Sequence, residues 1–164
     1  MRFMGRLLFF AGCLALFVLS GCTVPSDYAE AVSFEIKRVD DAMKEVEKAF
    51  ENEGFSKENE AYKNAVNVIA EARLKFENLG DFRGNDSLRL AALNYVVYCD
   101  VYFENSIESI DELIKTHNLT KEESIELESL TKAMFEEAAI AYRSRVAEEY
   151  VKFMRKYELI GFDK

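Results

Sequence analysis

The chain has 164 residues, 30 acidic against 21 basic, for a net charge of −9 at neutral pH. A surface this acidic is repelled by phosphate backbones, which argues against nucleic-acid binding; charge otherwise bears on solubility rather than on fold. One histidine and three cysteines leave little material for metal, triad or disulfide chemistry.

Residues 1–6, "MRFMGR", carry Arg2 and Arg6 and no acid, residues 7–19 form an uncharged apolar run, and Ser20, Gly21 and Cys22 follow. A basic start, a short apolar stretch and small residues before a cut site make a secretory signal peptide. Residues 19–22, "LSGC", resemble the lipobox of bacterial lipoproteins. The resemblance implies that Cys22 takes a diacylglyceryl group as a thioether and that a peptidase cuts between Gly21 and Cys22. The new amine is often acylated as well. Each buried CH₂ adds about 0.8 kcal/mol, so two or three acyl chains anchor stably where one does not. Two other readings of the segment stand beside this one. Residues 7–24 approach the length of an uncleaved membrane anchor, and an ordinary secretory signal could end beside a coincidental cysteine. Thr23 follows Cys22 where the sorting pattern of double-membraned bacteria uses aspartate for inner-membrane retention, so the pattern implies the outer membrane.

The expected organisation is therefore a signal peptide over 1–21, a lipidated cysteine with a short tether over 22–27, and a helical domain over 28–164. Removing residues 1–21 takes away Arg2 and Arg6 and no acid, which moves the net charge from −9 to −11. The remainder is long enough for one domain with a real core. With Cys13 gone and Cys22 lipidated, Cys99 is left unpaired, so that core must serve without an intramolecular disulfide. Cys99 lies in "YVVYCDVYF" and reads as a small buried hydrophobe rather than a reactive thiol.

The mature part reads as helix throughout, with Gly54, Gly80, Gly84 and Gly161 falling between or after the periodic segments. A first helix is predicted over 27–52, with Val32, Ile36, Val39, Met43, Val46 and Phe50 as its apolar stripe and Gly54 as its stop. A second, over 56–79, has Ser56 as a candidate N-cap and a stripe of Tyr62, Val66, Ile69, Ala72, Phe76 and Leu79. A third, over 87–117, is apolar on more than one face in its first half, which predicts the most central position. Its second half is amphipathic through Ile107, Ile110 and Ile114. The fourth opens at Thr120, which with Glu123 fits a capping box, and meets no breaker before Gly161. It carries two stripes: Leu127, Leu130, Met134, Ala138 and Ala141, then Phe135, Ala139, Tyr142, Val146, Tyr150, Phe153 and Tyr157. The drift between them predicts a curve or a change of partner. Four amphipathic helices with short connections most simply make an all-α, antiparallel up-down four-helix bundle.

Catalytic constellations are missing from the sequence. His117 sits at a predicted helix end, where an imidazolium favours the dipole, and no glutamate precedes it by three residues as a di-iron bundle requires. There is no convincing triad, phosphate-binding loop or zinc spacing, so no catalytic residue, cofactor or resident metal is expected. Asp100, Glu104, Glu108 and Asp111 step along one helical face, either as a solvated acidic row or as oxygen donors for a divalent cation. Tyr95, Tyr98 and Tyr102 either line a ligand groove or fill the core with hydroxyls at its edge. The last helix interleaves cations with rings: Tyr150, Lys152, Phe153, Arg155, Lys156 and Tyr157 are candidate membrane contacts, because an up-down bundle returns its C-terminus to the anchored end. Dipole complementation and ordinary packing are the alternative.

Residues 81–98, "DFRGNDSLRLAALNYVVY", resemble the loop-and-helix core of a family of small helical lipoproteins on bacterial surfaces. That resemblance implies a lipid-anchored helical domain and carries no substrate or catalytic residue. The expected function is a lipid-anchored envelope module, held to membrane lipid through acylated Cys22, that binds an envelope protein or other component and is not an enzyme. The alternative is a bundle that binds a small ligand or divalent cation.

Overall fold

The computed structural model describes residues 24–53 and 56–160, apart from the side chains of Glu53, Glu104 and Ser106. The signal peptide, the Gly21–Cys22 cut site, Thr23, Gly54, and Gly161 lie outside the described residues. Within them the protein is all-helical: α1 (Pro25–Glu53), α2 (Glu60–Leu79), α3 (Ser87–Val101), a π-helical segment (Tyr102–Ile107), α4 (Glu108–His117) and α5 (Lys121–Lys156). No helix among them is long and apolar enough to cross a membrane.

Local chemistry sets the boundaries. α1 begins at Pro25, two residues before the expected start, because a proline in the first turn loses no hydrogen bond and already holds a helical φ. α2 begins later than expected. Asn59 rather than Ser56 is its N-cap, its side-chain oxygen accepting from the Ala61 N–H at 2.8 Å, while the Ser56 hydroxyl accepts from the Glu58 N–H in the preceding turn. The capping box at α5 is formed as predicted, Thr120 accepting from the Glu123 N–H and the Glu123 carboxylate accepting from the Thr120 N–H. α5 then runs 36 residues without a break.

α1 runs opposite to α2 and to α5, as the residue pairs between them show. Between α1 and α2, the Tyr28 hydroxyl donates to the Gly80 carbonyl, Glu35 pairs with Lys75 at 2.6 Å and Arg38 with Glu71 at 2.9 Å. Arg73 of α2 meets Asp100 of α3 at 2.7 Å. On α3 and α5, Tyr98 stacks on Phe135 and Tyr142. α1 meets α5 through Asp40 with Arg143 and Glu47 with Lys132.

The core lies along the shared axis. Tyr28, Val32, Val39, Met43 and Val46 of α1 close on Tyr62, Ala65, Ile69, Ala72 and Phe76 of α2. Leu88, Ala92, Tyr95, Val96 and Cys99 of α3 reach the other elements from the middle, as its two-faced apolarity predicted. Two details of the stripes differ from expectation. Ala65 takes the buried place on α2 while Val66 is exposed. On α5 the two predicted stripes divide unevenly, with Tyr142 of the aromatic stripe exposed and Leu127 and Ala138 of the other half-buried. Phe135, Ala139, Val146 and Phe153 are buried, whereas Leu130 and Met134 are 58% and 74% exposed. The neighbours of α5 occupy one side only, and the larger aromatic stripe takes it.

Candidate functional site

The end of the molecule where α1 starts and α5 finishes is built around four rings. Tyr28, Phe82, Phe153 and Tyr157 come from α1, the α2–α3 turn, α5 and the residue following it. Their centroids lie 4.7–5.5 Å apart: Tyr28 contacts Phe82 and Phe153, and Tyr157 stands edge-on to Phe82 and close to Phe153. Such spacing suits tilted and edge-to-face aromatic packing, and each large ring adds burial. The two phenols also bond outward to backbone, Tyr28 to the Gly80 carbonyl at 3.0 Å and Tyr157 to the Phe82 carbonyl at 3.3 Å.

The turn that delivers Phe82 is folded on itself. Phe82 and Asn85 exchange both backbone hydrogen bonds at 3.0 Å, and the Asp81 carboxylate accepts from the Gly84 N–H at 2.5 Å. Arg89, one turn into α3, grips the Asp86 carboxylate at 2.5 and 2.7 Å and reaches the Phe76 carbonyl at 2.9 Å. That guanidinium holds the Asp86 carboxyl below its usual range. The pair therefore ties α3 to the last turns of α2 just beneath the ring cluster.

The six candidate membrane contacts separate in this setting. Phe153 is 1% exposed and sits inside the ring cluster, so its ring meets protein on all sides. Tyr157 is half-buried against Phe82, and Tyr150 packs on the core edge. Lys152 is held at 2.9 Å by buried Glu149, which also receives Arg145 at 3.0 Å. Arg155 and Lys156 are exposed, with the Lys156 ammonium 5.5 Å from the Tyr157 ring centre. Half of the expected row thus serves packing, and the exposed cations are the part that faces outward.

The other sequence candidates are placed as follows. Tyr95 is fully buried, Tyr98 donates to the Phe135 carbonyl at 3.1 Å, and Tyr102 stacks on Phe135 at 4.0 Å. Burial pushes all three phenols up from their ordinary value. Cys99 is fully buried and its thiol is pushed up to about 12, chiefly by desolvation, which leaves it a packing residue. The acidic row does not gather. Asp100 turns to Arg73, and Asp111 is buried beneath Lys115 at 2.7 Å. The π-helical segment between them breaks the spacing on which a shared face depends. No group of His, Cys, Asp and Glu among the described residues is placed to hold a metal ion. His117 closes α4, followed by Asn118 in the left-handed region at φ 49°.

Sequence reasoning missed one polar cluster. Asp40 of α1, Tyr95 of α3 and Arg143 of α5 meet between the helices, with Arg143 reaching Glu136 at 3.2 Å as well. The sequence singles out Tyr95 only as one of three tyrosines on the third helix, beside Tyr98 and Tyr102. Nothing in the periodicity pairs Tyr95 or Arg143 with an aspartate more than fifty residues away.

Compared with known proteins, the chain matches no family model, and neither a curated protein nor a solved structure matches it.

Proposed function

We propose that this protein is a lipid-anchored module of the bacterial cell envelope, an antiparallel up-down four-helix bundle held to the outer membrane by acylated Cys22. The π-helical segment and α4 complete its third helix. The observation that carries the reading is the distance along the chain between anchor and fold: after "LSGC", only Thr23 and Val24 precede Pro25, the first residue of α1. Two residues span about 7 Å at full extension. An acylated Cys22 therefore keeps the ring-cluster end against the headgroups, where exposed Arg155 and Lys156 meet anionic lipid. Phe153 is excluded from this contact by its burial. The envelope component that the module binds would approach the sides or the far end. Its acidic surface and the missing catalytic sets favour binding over chemistry.

Mass spectrometry of the protein extracted from membranes tests the anchor. The expected species begins at Cys22 and carries diacylglyceryl mass. Retention of residues 1–21, or an unmodified Cys22, rejects it. Crosslinking in intact cells followed by affinity recovery then identifies the neighbour.

A further inference from the structure

At the end of the molecule opposite the ring cluster, α1, the π-helical segment and the start of α5 enclose a half-open cavity of about 430 Å³. Ligand sites in proteins span roughly 300–1,000 Å³ and combine apolar walls with a few placed polar groups. Here the walls are Phe50, Tyr102, Phe103 and Phe135. The π turn shapes one of them, since Tyr102 and Phe103 are its first two residues and Ile107 its last. π-bulges persist at a cost in helix geometry and recur at functional sites.

The rim carries charge of one dominant sign. Among the described residues, Glu47, Glu51 and Glu128 line it with a single cation, Lys132. The Lys132 ammonium lies 3.6 Å from a carboxylate oxygen of Glu47 and 3.6 Å from one of Glu51, longer than a charge-assisted hydrogen bond. Both carboxylates thus retain lone pairs for a second cation. Glu47 also raises the Tyr102 phenol, after burial, which fits a negative field inside the cavity.

We infer that this cavity binds an amphipathic organic cation, an aromatic or alkyl body that enters between the rings with an ammonium that stops at Glu47 and Glu51. An anionic ligand of the same body meets repulsion at the rim, and a neutral one forgoes the ion pair. The inference is independent of the anchor, because it concerns the other end of the molecule.

The test uses the full-length protein as the cell makes it, in zwitterionic nanodiscs if it extracts with membrane and in buffer if it does not, with protein-free samples as blank. Phenylbutylammonium, phenylbutanol and phenylbutanoate are titrated by calorimetry. The ammonium is expected to bind at least about tenfold more tightly than the carboxylate, with the alcohol between them. Methyl resonances of Ile107 and Ile125, both in the cavity lining, should shift on binding. In the double variant E47Q/E51Q, with unchanged helical circular dichroism, the preference for the cation should vanish. The inference is overturned by absence of binding, by equal or carboxylate-favouring affinities, by shifts confined to other methyls, or by a preference that survives in E47Q/E51Q.

Discussion

The Tyr95 hydroxyl, on a fully buried ring of α3, donates to a carboxylate oxygen of Asp40 on α1 at 2.5 Å. The Arg143 guanidinium of α5 donates to both, at 3.2 Å to Asp40 and 3.1 Å to the Tyr95 hydroxyl. One polar contact thus registers three helices. Removing one member leaves the others desolvated, which costs more than the net worth of the bond. Tyr95→Phe should destabilise by about 1–2 kcal/mol, since Asp40 keeps Arg143. Asp40→Ala should cost about 2–3 kcal/mol, because it strips the Tyr95 hydroxyl of its acceptor and leaves the guanidinium only the Tyr95 oxygen and Glu136. The double variant should cost less than the sum. Urea unfolding midpoints read all three.

Phe153 and Lys156 are three residues apart on α5 but face different surroundings. Phe153→Ala empties the ring cluster and should cost about 3–5 kcal/mol. Lys156→Gln changes an exposed side chain and should stay within about 0.5 kcal/mol. Urea unfolding of both variants checks the division. A small loss for Phe153→Ala would mean that the ring is not part of the core.

Alkaline pH should unfold the protein from within. Burial keeps the Cys99 thiol protonated up to about 12 in the folded state, against an ordinary value of 9.0, and raises the Tyr95 and Tyr102 phenols beyond the tyrosine range. The unfolded chain gives up these protons first. The contribution of Cys99 to stability is therefore full below about pH 9 and lost as pH climbs toward 12. Tyrosinate absorbance from Tyr95 and Tyr102 should rise together with the loss of helical circular dichroism. A thiol reagent added at neutral pH should leave Cys99 unmodified until denaturant is present.

Gly80 links α2 to the turn that carries Phe82, with φ 71° and ψ 179°. That region is open essentially to glycine alone. A Cβ at Gly80 would meet nothing within 4 Å. The cost of Gly80→Ala is therefore backbone strain, about 1–3 kcal/mol with no steric component. Differential scanning calorimetry should show a lowered Tm with the helix content retained.

Much of this architecture was legible in the residues. The alternation of four and three in Val32, Ile36, Val39, Met43, Val46 and Phe50 defines one face, and the structure buries or half-buries all of them. Thr120 and Glu123 announce a helix start because two orphan backbone groups there need those two side chains. The π-helical segment was not legible. "YFENSI" has no residue that forbids an α-helix, and the widened turn arises where Phe103 stacks on Tyr62 and Tyr102 on Phe135 from opposite sides. It is also what removes Asp100 and Asp111 from a common face and opens the wall of the distal cavity.

What the sequence by itself determined is local or periodic: the helices, the capping box at Thr120 and Glu123, and the buried faces where only one is apolar. Each follows from spacing or backbone chemistry within a few residues. The tertiary structure decided which of the two stripes of α5 is buried. Phe135, Ala139 and Phe153 meet α1 and α3 while Leu130 and Met134 stay outside, a choice that hydrophobicity alone leaves balanced. It also joined Asp40, Tyr95 and Arg143, which are separated by 55 and 48 positions along the chain. No periodicity encodes such a meeting, because it depends on how three separate helices are set against one another.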